Sequence, residues 1–408
     1  MSKTKVLLLT TDFHPNRGGI AHYLDSLISS TNNQLDWRVL TNINLQNNNE
    51  YSKSHVNRID TRQSNHHIKL YPLRKISSFV YRLNRNKILS IELIKELNNF
   101  NPQHVVVGRW CAEAHQWCKI LRKSKISYSI IAHGLELTEE PEENKLVRLL
   151  IGPTNKDRTD DFKSSKIVFA NSQATSSIIE NLGCDPSNIF RLPPGLIIES
   201  LPIHGEFFSK KILASFGISK PYILCLGRLV KRKGFDLAIK AFSRLSCNYP
   251  DTRLVIAGNG PEFHNLSKLA SSLNIENKVI FTGDIQDEAK CSLFENCLFY
   301  MMPNVAIPGD MEGFGIVFLE AARYKKAVIG GKNGGVPDAV IDNLTGLLID
   351  TNSEITDLTD AIEKLSSNED LRIRLGNNGY ARLMKNFQWS EISKYFINAI
   401  TKKNEYNY

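Results

Sequence analysis

The chain has 408 residues, 42% of them apolar and 23% charged, so it is long enough for two domains with separate cores. No apolar run is long enough to cross a bilayer, and Val6–Leu9 near the start is too short for a signal peptide. The seven cysteines are scattered without a Cys-x-x-Cys pair, which favours a reducing cytoplasm over disulfides or a zinc site. Cys225 lies in an apolar run and is interpreted as a small core residue.

The net charge of +9 is concentrated in one part of the chain. Residues 51–100 hold ten Lys or Arg against three Asp or Glu, which accounts for +7 of it. Within this segment, 74–89 mixes basic and large apolar residues at helical spacing. Such a helix could lie on an anionic membrane surface, or it could pack on the core with a solvated basic face. No recognition motif accompanies the charge, so no nucleic-acid partner is expected.

Short apolar runs alternate with helical patterns through both halves of the chain. The predicted helices are Ile20–Ile28, Phe235–Leu245, Pro261–Leu273 and Gly315–Tyr324. The predicted strands are Val6–Leu9, Trp37–Leu40, Val105–Val107, Tyr128–Ala132, Ile167–Ala170, Tyr222–Leu226, Leu254–Ala257, Val279–Phe281, Leu298–Met302 and Ala327–Ile329. Strands that alternate with helices form parallel sheets covered on both faces, so each half is predicted to be a doubly wound α/β domain.

Proline and glycine cluster at 193–202, where the helical periodicity stops. We therefore predict one domain at 1–195 and a second at 196–388. Doubly wound sheets bind ligands at the carboxyl ends of their strands, so the loops that follow strands are the candidate sites.

Two such loops lie in the first half. Gly18 and Gly19 precede a helical pattern, and their N–H groups could hold a phosphate, although they could equally form a plain turn. His133 directly follows the strand Tyr128–Ala132. It could orient a sugar hydroxyl or act as a general base, or it could be a structural residue.

Two further loops follow strands in the second half. The run Gly227-Arg-Leu-Val-Lys-Arg-Lys-Gly234 places Arg228 and Lys233 where they could neutralise a diphosphate leaving group, which needs no metal. A basic solvated loop is the alternative. The run Gly258-Asn-Gly-Pro261 suits a tight turn under a nucleotide base or ribose, although by itself it is only a turn.

The most informative stretch is Glu312-Gly-Phe-Gly-Ile-Val-Phe-Leu-Glu320. If a helix begins near Gly315, Glu312 lies in the loop before it and Glu320 in its second turn. The N–H groups of the helix start favour an anionic ligand, and Gly313 and Gly315 allow close approach. A sugar joined to a phosphate fits such a site, whereas the alternative is a helix start that happens to be rich in acids.

Together these motifs resemble the retaining glycosyltransferases of family 4, which have the GT-B architecture. The matching pieces occur in the family's order and are Gly18-Gly19, His133-Gly134, Pro194-Gly195, Gly227-Arg228 with Lys233-Gly234, Gly258–Pro261, Phe281–Gly283, Glu312–Glu320 and Gly334–Pro337. The resemblance implies two Rossmann-like domains that face each other across a cleft, the first binding the acceptor and the second the nucleotide sugar. It also implies that a closing helix at 389–408 returns to the first domain.

The resemblance implies a role for each matching residue. Arg228 and Lys233 would bind the diphosphate, Glu312 the donor sugar and Glu320 the ribose. The leaving phosphate would take the acceptor's proton on the same face, so configuration is retained without a protein nucleophile or a metal. The implied catalytic residues are His133, Arg228, Lys233 and Glu312, and the implied donor-binding residues are Gly18, Gly19, Gly258, Gly260, Phe314, Gly315, Ile316 and Glu320.

The implied activity is transfer of a mannose- or glucose-type hexose from a GDP- or UDP-sugar, with no further cofactor. The implied acceptor is a glycan or lipid-linked precursor of cell-surface polysaccharide, lipopolysaccharide or glycolipid. We expect a cytoplasmic protein, peripheral on the inner face of the membrane if the basic segment docks there. The alternatives are a synthase of a small soluble glycoside and a non-catalytic GT-B scaffold that only binds a sugar nucleotide.

Overall fold

The computed structural model describes residues 3–13, 18–42, 56–59, 88–138, 153–198, 206–351 and 355–401. Unit 1 comprises Met1–Pro193 and Ile392–Tyr408, and unit 2 comprises Pro194–Glu391. The sequence predicts domain boundaries after residues 195 and 388. These boundaries and the roles assigned to the two domains stay predictions. Most of the basic segment 74–89 falls outside the described residues.

The described part of unit 1 contains one parallel sheet with the strand order β3-β2-β1-β4-β5-β6-β7. Its strands are β1 (Thr4–Leu9), β2 (Leu35–Asn42), β3 (Val56–Ile59), β4 (His104–Val107), β5 (Tyr128–Ala132), β6 (Ile167–Ala170) and β7 (Ile189–Arg191). Its helices are α1 (Gly19–Thr31), α2 (88–100), α3 (Ala112–Lys123), α4 (Leu135–Thr138), α5 (Asn155–Lys163) and α6 (Gln173–Asn181).

The described part of unit 2 contains a second parallel sheet with the order β10-β9-β8-β11-β12-β13. Its strands are β8 (Tyr222–Leu226), β9 (Arg253–Ala257), β10 (Val279–Gly283), β11 (Tyr300–Met302), β12 (Val328–Gly331) and β13 (Leu347–Ile349). Its helices are α7 (Glu206–Ser215), α8 (Phe235–Leu245), α9 (Phe263–Ser272), α10 (Asp287–Asn296), α11 (Ile316–Arg323), α12 (Val336–Ala339), α13 (Thr356–Ser367) and α14 (Glu369–Asn386).

The two sheets form because their strands are continuous apolar runs that can be buried on both faces. The side chains of β4 and β5 are all buried, and Cys225 in β8 is fully buried among core residues, as predicted. Each unit is therefore a doubly wound α/β domain, which confirms the predicted fold class.

The last described helix, α15 (Trp389–Thr401), begins in unit 2 and ends in unit 1. Its Phe396 is fully buried and packs on two aromatic side chains of unit 1. The ring centroid of Phe396 lies 5.8 Å from that of Trp37, with the rings stacked, and 5.0 Å from that of Phe169. The residues after 401 lie outside the described range.

The strand order places the loops of interest side by side. In unit 1, β1, β4 and β5 are neighbours, and in unit 2, β9, β8, β11 and β12 are neighbours. Since the carboxyl ends of parallel strands lie at one edge of a sheet, the loops after these strands share that edge. None of the described helices has the length and apolarity that a membrane span requires.

Gly234 offers a test of how tightly unit 2 is packed at this edge. Gly234 and Gly217 both have φ +68°, but an added Cβ would lie 2.0 Å from the Pro303 carbonyl oxygen at Gly234 and would meet open space at Gly217. Left-handed backbone should cost Gly217→Ala about 1–2 kcal/mol. We expect Gly234→Ala to lose roughly 1–3 kcal/mol more in urea unfolding, because a backbone must shift. Equal losses in the two variants would contradict this packing.

Candidate functional site

The loop between β8 and α8 ends in one turn of 3-10 helix, Lys231–Lys233, followed by left-handed Gly234. This turn buries Lys233, whereas Arg228 near the loop's start is exposed. Among the residues that the structure describes, no side chain pairs with Arg228. The two predicted cations therefore differ, one fixed inside the unit and the other open to solvent.

Lys233 forms an ion pair with Glu312. Its Nζ donates to Glu312 Oε2 at 2.6 Å, and the two side chains are only 11% and 12% exposed. The amide Nδ2 of Asn304 donates to the same oxygen at 3.2 Å, and Arg232 Nε lies 3.6 Å from it. Arg232 also donates to Asp310 Oδ1 at 2.8 Å, which anchors the loop ahead of Glu312.

The positive groups around Glu312 keep it ionised. Burial alone would raise the pKa of this carboxyl, but the charges and hydrogen bonds of Lys233 and Arg232 outweigh burial and lower the pKa. Both cations and the amide use Oε2, so Oε1 makes no hydrogen bond to any described residue. Oε1 is thus available to accept a hydrogen bond from a hydroxyl.

The helix start after Glu312 exposes backbone donors. α11 begins at Ile316 behind Gly315, which has φ +87°, as the sequence predicts. The N–H groups of Phe314, Gly315 and Ile316 donate to no acceptor within the described residues. The ring of Phe314 is buried and packs edge-on against Phe387 at 5.7 Å, which fixes the turn. Three adjacent unpaired donors at a helix start form a place for an anion.

Glu320 lies in the second turn of α11 and pairs with Lys290 of α10. Lys290 Nζ donates to Glu320 Oε1 at 3.0 Å. Burial would lower the pKa of Lys290, but Glu320 and Asp287 raise it overall. Like Glu312, Glu320 leaves one carboxyl oxygen without a partner among the described residues.

Tyr300, the first residue of β11, has a raised pKa to which Glu312 and Glu320 both contribute. Burial is the largest cause of that increase, and the two acids add to it. Tyr300 is fully buried in β11, and its hydroxyl donates to the Leu226 carbonyl at the end of β8. The charges of both acids therefore influence the same buried tyrosine, whose hydroxyl lies at the carboxyl end of β8.

Close packing between two loops explains why positions 258 and 260 are glycine. A Cβ on Gly258 would lie 2.2 Å from the Gly227 carbonyl oxygen, and one on Gly260 would lie 2.3 Å from that of Leu229. The two contacted residues flank Arg228. These glycines thus bring the loop after β9 against the loop that holds Arg228, and their predicted contact with a ligand stays a prediction.

In unit 1, Gly18 and Gly19 open α1. Both are exposed, and a Cβ on either would meet nothing within 4 Å. The backbone of Gly18 is extended, at φ 174°, so the protein alone does not require glycine there. One turn further along α1, the ring of Tyr23 meets that of His133 edge-on at 5.1 Å. Helix α1 therefore begins at the glycine pair and contacts the predicted histidine through Tyr23.

His133 is buried at the end of β5, and its Nε2 donates to the Gly108 carbonyl oxygen at 2.8 Å. Burial lowers the pKa of the ring more than the nearby carboxyl groups raise it. The ring is therefore neutral at pH 7, with its proton on Nε2 and a lone pair on Nδ1.

Several site residues are not apparent from the sequence. Asn304 follows β11 closely, a position that could have drawn attention to it, and Arg232 stands in a basic run between the two predicted cations. Lys290 lies within a helix and has no local signal. Within the described parts of both units, no group of three His, Cys, Asp or Glu side chains is arranged to hold a metal ion. The ligand roles that were assigned to residues from the sequence stay predictions.

Comparisons with known proteins show which families the chain is similar to. Residues 209–382 match the family model described as "Glycosyl transferases group 1". The chain is 34% identical over 172 residues to a GDP-mannose-dependent alpha-(1-6)-phosphatidylinositol monomannoside mannosyltransferase of Mycolicibacterium smegmatis, covering 42% of this chain and 45% of that protein. An uncharacterized glycosyltransferase of Methanocaldococcus jannaschii is 25% identical over 94% of this chain and 95% of its own length.

A solved structure extends the likeness to both units. The crystal structure of Anabaena Alr3699/HepE in complex with UDP and glucose aligns with a TM-score of 0.74 at 17% identity, covering 98% of this chain and 99% of that one. An identity this low shows a shared fold alone. The chain spans about half the length of the first curated relatives that it matches.

The lowered pKa of Glu312 predicts how stability depends on pH. A carboxyl whose pKa is lower in the folded state stabilises the protein above its unfolded pKa, and this contribution is lost as pH falls through the folded pKa. We expect the free energy of unfolding of the wild type to exceed that of Glu312→Gln at pH 7, and the difference to shrink below about pH 4. Urea unfolding between pH 7 and 3 measures both curves.

Asp236→Asn is the matched control, because Asp236 is 44% exposed in its pair with Lys240. Its curve should parallel that of the wild type. A Glu312→Gln curve that also parallels the wild type would show that Lys233 does not stabilise the charged form of Glu312.

Proposed function

We propose that the whole chain is a retaining, metal-independent hexosyltransferase, because residues 209–382 match the family model of the group 1 glycosyl transferases. It moves a mannose- or glucose-type sugar from a nucleoside diphosphate to a glycan or lipid-linked acceptor. The observation that supports this best is the pair of acids in unit 2. Each is held by a lysine through one oxygen and keeps the other for a ligand hydroxyl.

Unit 2 offers a complementary group for each part of a donor. The unpaired N–H groups of Phe314, Gly315 and Ile316 suit a phosphate, and the free oxygens of Glu312 and Glu320 suit the hydroxyls of the hexose and the ribose. An ammonium group has three donors, of which Lys233 uses one on Glu312. The other two can bind the diphosphate.

In the proposed reaction, the bond between the anomeric carbon and the phosphate oxygen breaks as the acceptor oxygen attacks on the same face. The departing phosphate takes the acceptor's proton, so the sugar keeps its configuration. Arg228 and Lys233 stabilise the charge that develops on the diphosphate, the task that other enzymes give to a metal ion. His133 of unit 1 would accept a hydrogen bond from a substrate hydroxyl through Nδ1.

The names of the relatives support two donor bases and a lipid-linked acceptor. The mycobacterial relative is named for GDP-mannose and a phosphatidylinositol mannoside, whereas the Anabaena structure contains UDP and glucose. We propose a cytoplasmic enzyme of cell-surface polysaccharide or glycolipid synthesis, whose donor is a GDP- or UDP-sugar.

An exposed apolar pair supports contact with a membrane. On α2, Ile91 and Ile94 are 53% and 49% exposed, and they follow directly on the basic segment 74–89. Large apolar side chains beside positive charge suit the interface of an anionic bilayer. We propose that this part of unit 1 holds the enzyme on the membrane that contains its acceptor.

The proposal is tested with GDP- and UDP-sugars and with Arg228→Ala. A cognate sugar nucleotide at a hundredfold excess over its Kd should stabilise the wild type by about 2.7 kcal/mol in thermal unfolding. Sugar transfer, followed by release of the nucleoside diphosphate, should fall about 10²- to 10³-fold in Arg228→Ala, which removes charge stabilisation. EDTA should leave both signals unchanged.

Lys231→Ala is the control, since Lys231 is an exposed cation of the same loop. It should keep wild-type turnover. If no sugar nucleotide stabilises the wild type, the proposed activity is wrong, and unchanged turnover in Arg228→Ala would remove its assigned role. Strict dependence on added magnesium would contradict the metal-free mechanism.

Membrane contact is tested by sedimentation with vesicles. The wild type should bind vesicles of anionic lipid more than neutral ones, and raising the salt from 0.1 to 1 M should weaken the binding. The double variant Ile91→Ser, Ile94→Ser should bind less, because it loses apolar area while its net charge is unchanged. Equal binding to both kinds of vesicle would rule out electrostatic docking.

A further inference from the structure

A second polar cluster lies at the carboxyl edge of the sheet in unit 1, and of its residues only His133 was singled out from the sequence. It comprises Asp12 after β1, Arg109 after β4, and His133 with Glu136 after β5, on three neighbouring strands. Arg109 Nη1 donates to Asp12 Oδ2 at 3.0 Å. Of the four, only His133 carries a proposed role so far.

The backbone of His133 is held by side chains on both sides. Its N–H donates to Glu136 Oε1 at 2.5 Å, and its carbonyl oxygen accepts from Asn171 Nδ2 at 2.9 Å. The next residue, Gly134, has φ +102°, so the chain turns sharply after the histidine. With Nε2 bound to the Gly108 carbonyl, the ring has a fixed tautomer and little freedom to rotate.

The hydrogen bond to the His133 N–H uses only one of the two carboxyl oxygens of Glu136. The residue is 4% exposed, and its Oε2 is buried without a hydrogen-bond partner among the described residues. Arg158 Nη1 donates to the Glu136 backbone oxygen at 3.0 Å, not to the carboxyl group. A buried carboxyl oxygen without a partner is costly, so packing alone does not explain a carboxylate at this position.

We propose that Glu136 is a positioning residue for the transfer reaction, which fixes the backbone of His133 and sets the electrostatic environment of its ring. The histidine then presents the Nδ1 lone pair to a substrate hydroxyl in one orientation. The ion pair of Asp12 and Arg109 adds one negative and one positive charge near the ring. This inference rests on the proposed function, since it assigns His133 a hydroxyl partner.

The charges that face the ring come from three elements. Glu136 and Asp12 favour the protonated ring, whereas Arg109 disfavours it, and burial lowers its pKa most strongly. Tyr23 of α1 contributes an uncharged ring edge. Removing the charge of Glu136 should therefore lower the pKa of His133 further and make Nδ1 a weaker acceptor.

The variant Glu136→Gln separates charge from structure, because glutamine keeps an oxygen that can accept from the His133 N–H. We expect NMR of histidine-labelled protein to show the Nε2–H tautomer in both proteins and a lower ring pKa in the variant. Glu180→Gln is the matched control, as Glu180 is an exposed carboxylate of the same unit. It should leave the titration of His133 unchanged.

Kinetics provide the second measurement. In Glu136→Gln, kcat should fall about ten- to a hundredfold with the KM for the donor unchanged, because Nδ1 becomes a weaker acceptor in the reaction while the groups that bind the donor are unaltered. The acid limb of the pH–rate profile should move to lower pH together with the NMR titration. Glu136→Ala, which also loses the backbone acceptor, should be slower still.

The outcomes separate the two proposals. A wild type without transfer activity whose His133 still responds to Glu136→Gln would overturn the proposed function and leave the positioning of the ring intact. An active wild type with the same His133 titration and the same kcat in Glu136→Gln would overturn the role of Glu136. If Glu136→Ala does not fold, the glutamine variant decides alone.

Discussion

The buried ion pair of Lys233 and Glu312 is the contact on which the candidate site of unit 2 depends. It joins two loops whose residues are 79 positions apart in the chain. Neither charge would be tolerated alone at this depth, because an unpaired buried charge is strongly destabilising. Paired with each other, and with Asn304 and Arg232 beside them, the two side chains hold the turn that presents the N–H groups at the start of α11. The same contact leaves one oxygen of Glu312 free, so it fixes the site without filling it.

Much of this architecture could be predicted from local patterns. For the buried apolar runs Tyr128–Ala132 and Tyr222–Leu226, the predicted and the observed strand bounds are identical. Such runs are recognisable because parallel strands covered on both faces need no polar alternation. The helix start behind Gly315 was predictable because glycine marks a left-handed turn. The edge strands Val56–Ile59, Ile189–Arg191 and Leu347–Ile349 were missed, since three or four residues give too little periodicity.

The partners of the site residues could not be predicted. Lys290 reaches Glu320 from a different helix, so this contact leaves no spacing that can be counted. Glu136 lies only three residues after His133, but which group its carboxyl binds depends on how the turn between them folds. The reason predicted from the sequence for Gly258 and Gly260 was a tight turn, under a nucleotide base or ribose. The structure supplies another, the contact of their backbone with the carbonyl groups of Gly227 and Leu229. Side-chain partners are set by tertiary packing, whereas strands and helix starts are set largely by neighbours in the chain.

The course of α15 has a consequence for biosynthesis. Unit 2 is one continuous segment, but unit 1 needs Ile392 and the residues after it, among them the fully buried Phe396. A ribosome that has finished Pro193 must add roughly 200 more residues before that ring exists, which takes about 10–40 s at usual elongation rates. During that interval Trp37 and Phe169 lack their covering aromatic ring, so the nascent first unit exposes apolar surface to chaperones until the second unit, which ends at Glu391, has been synthesised.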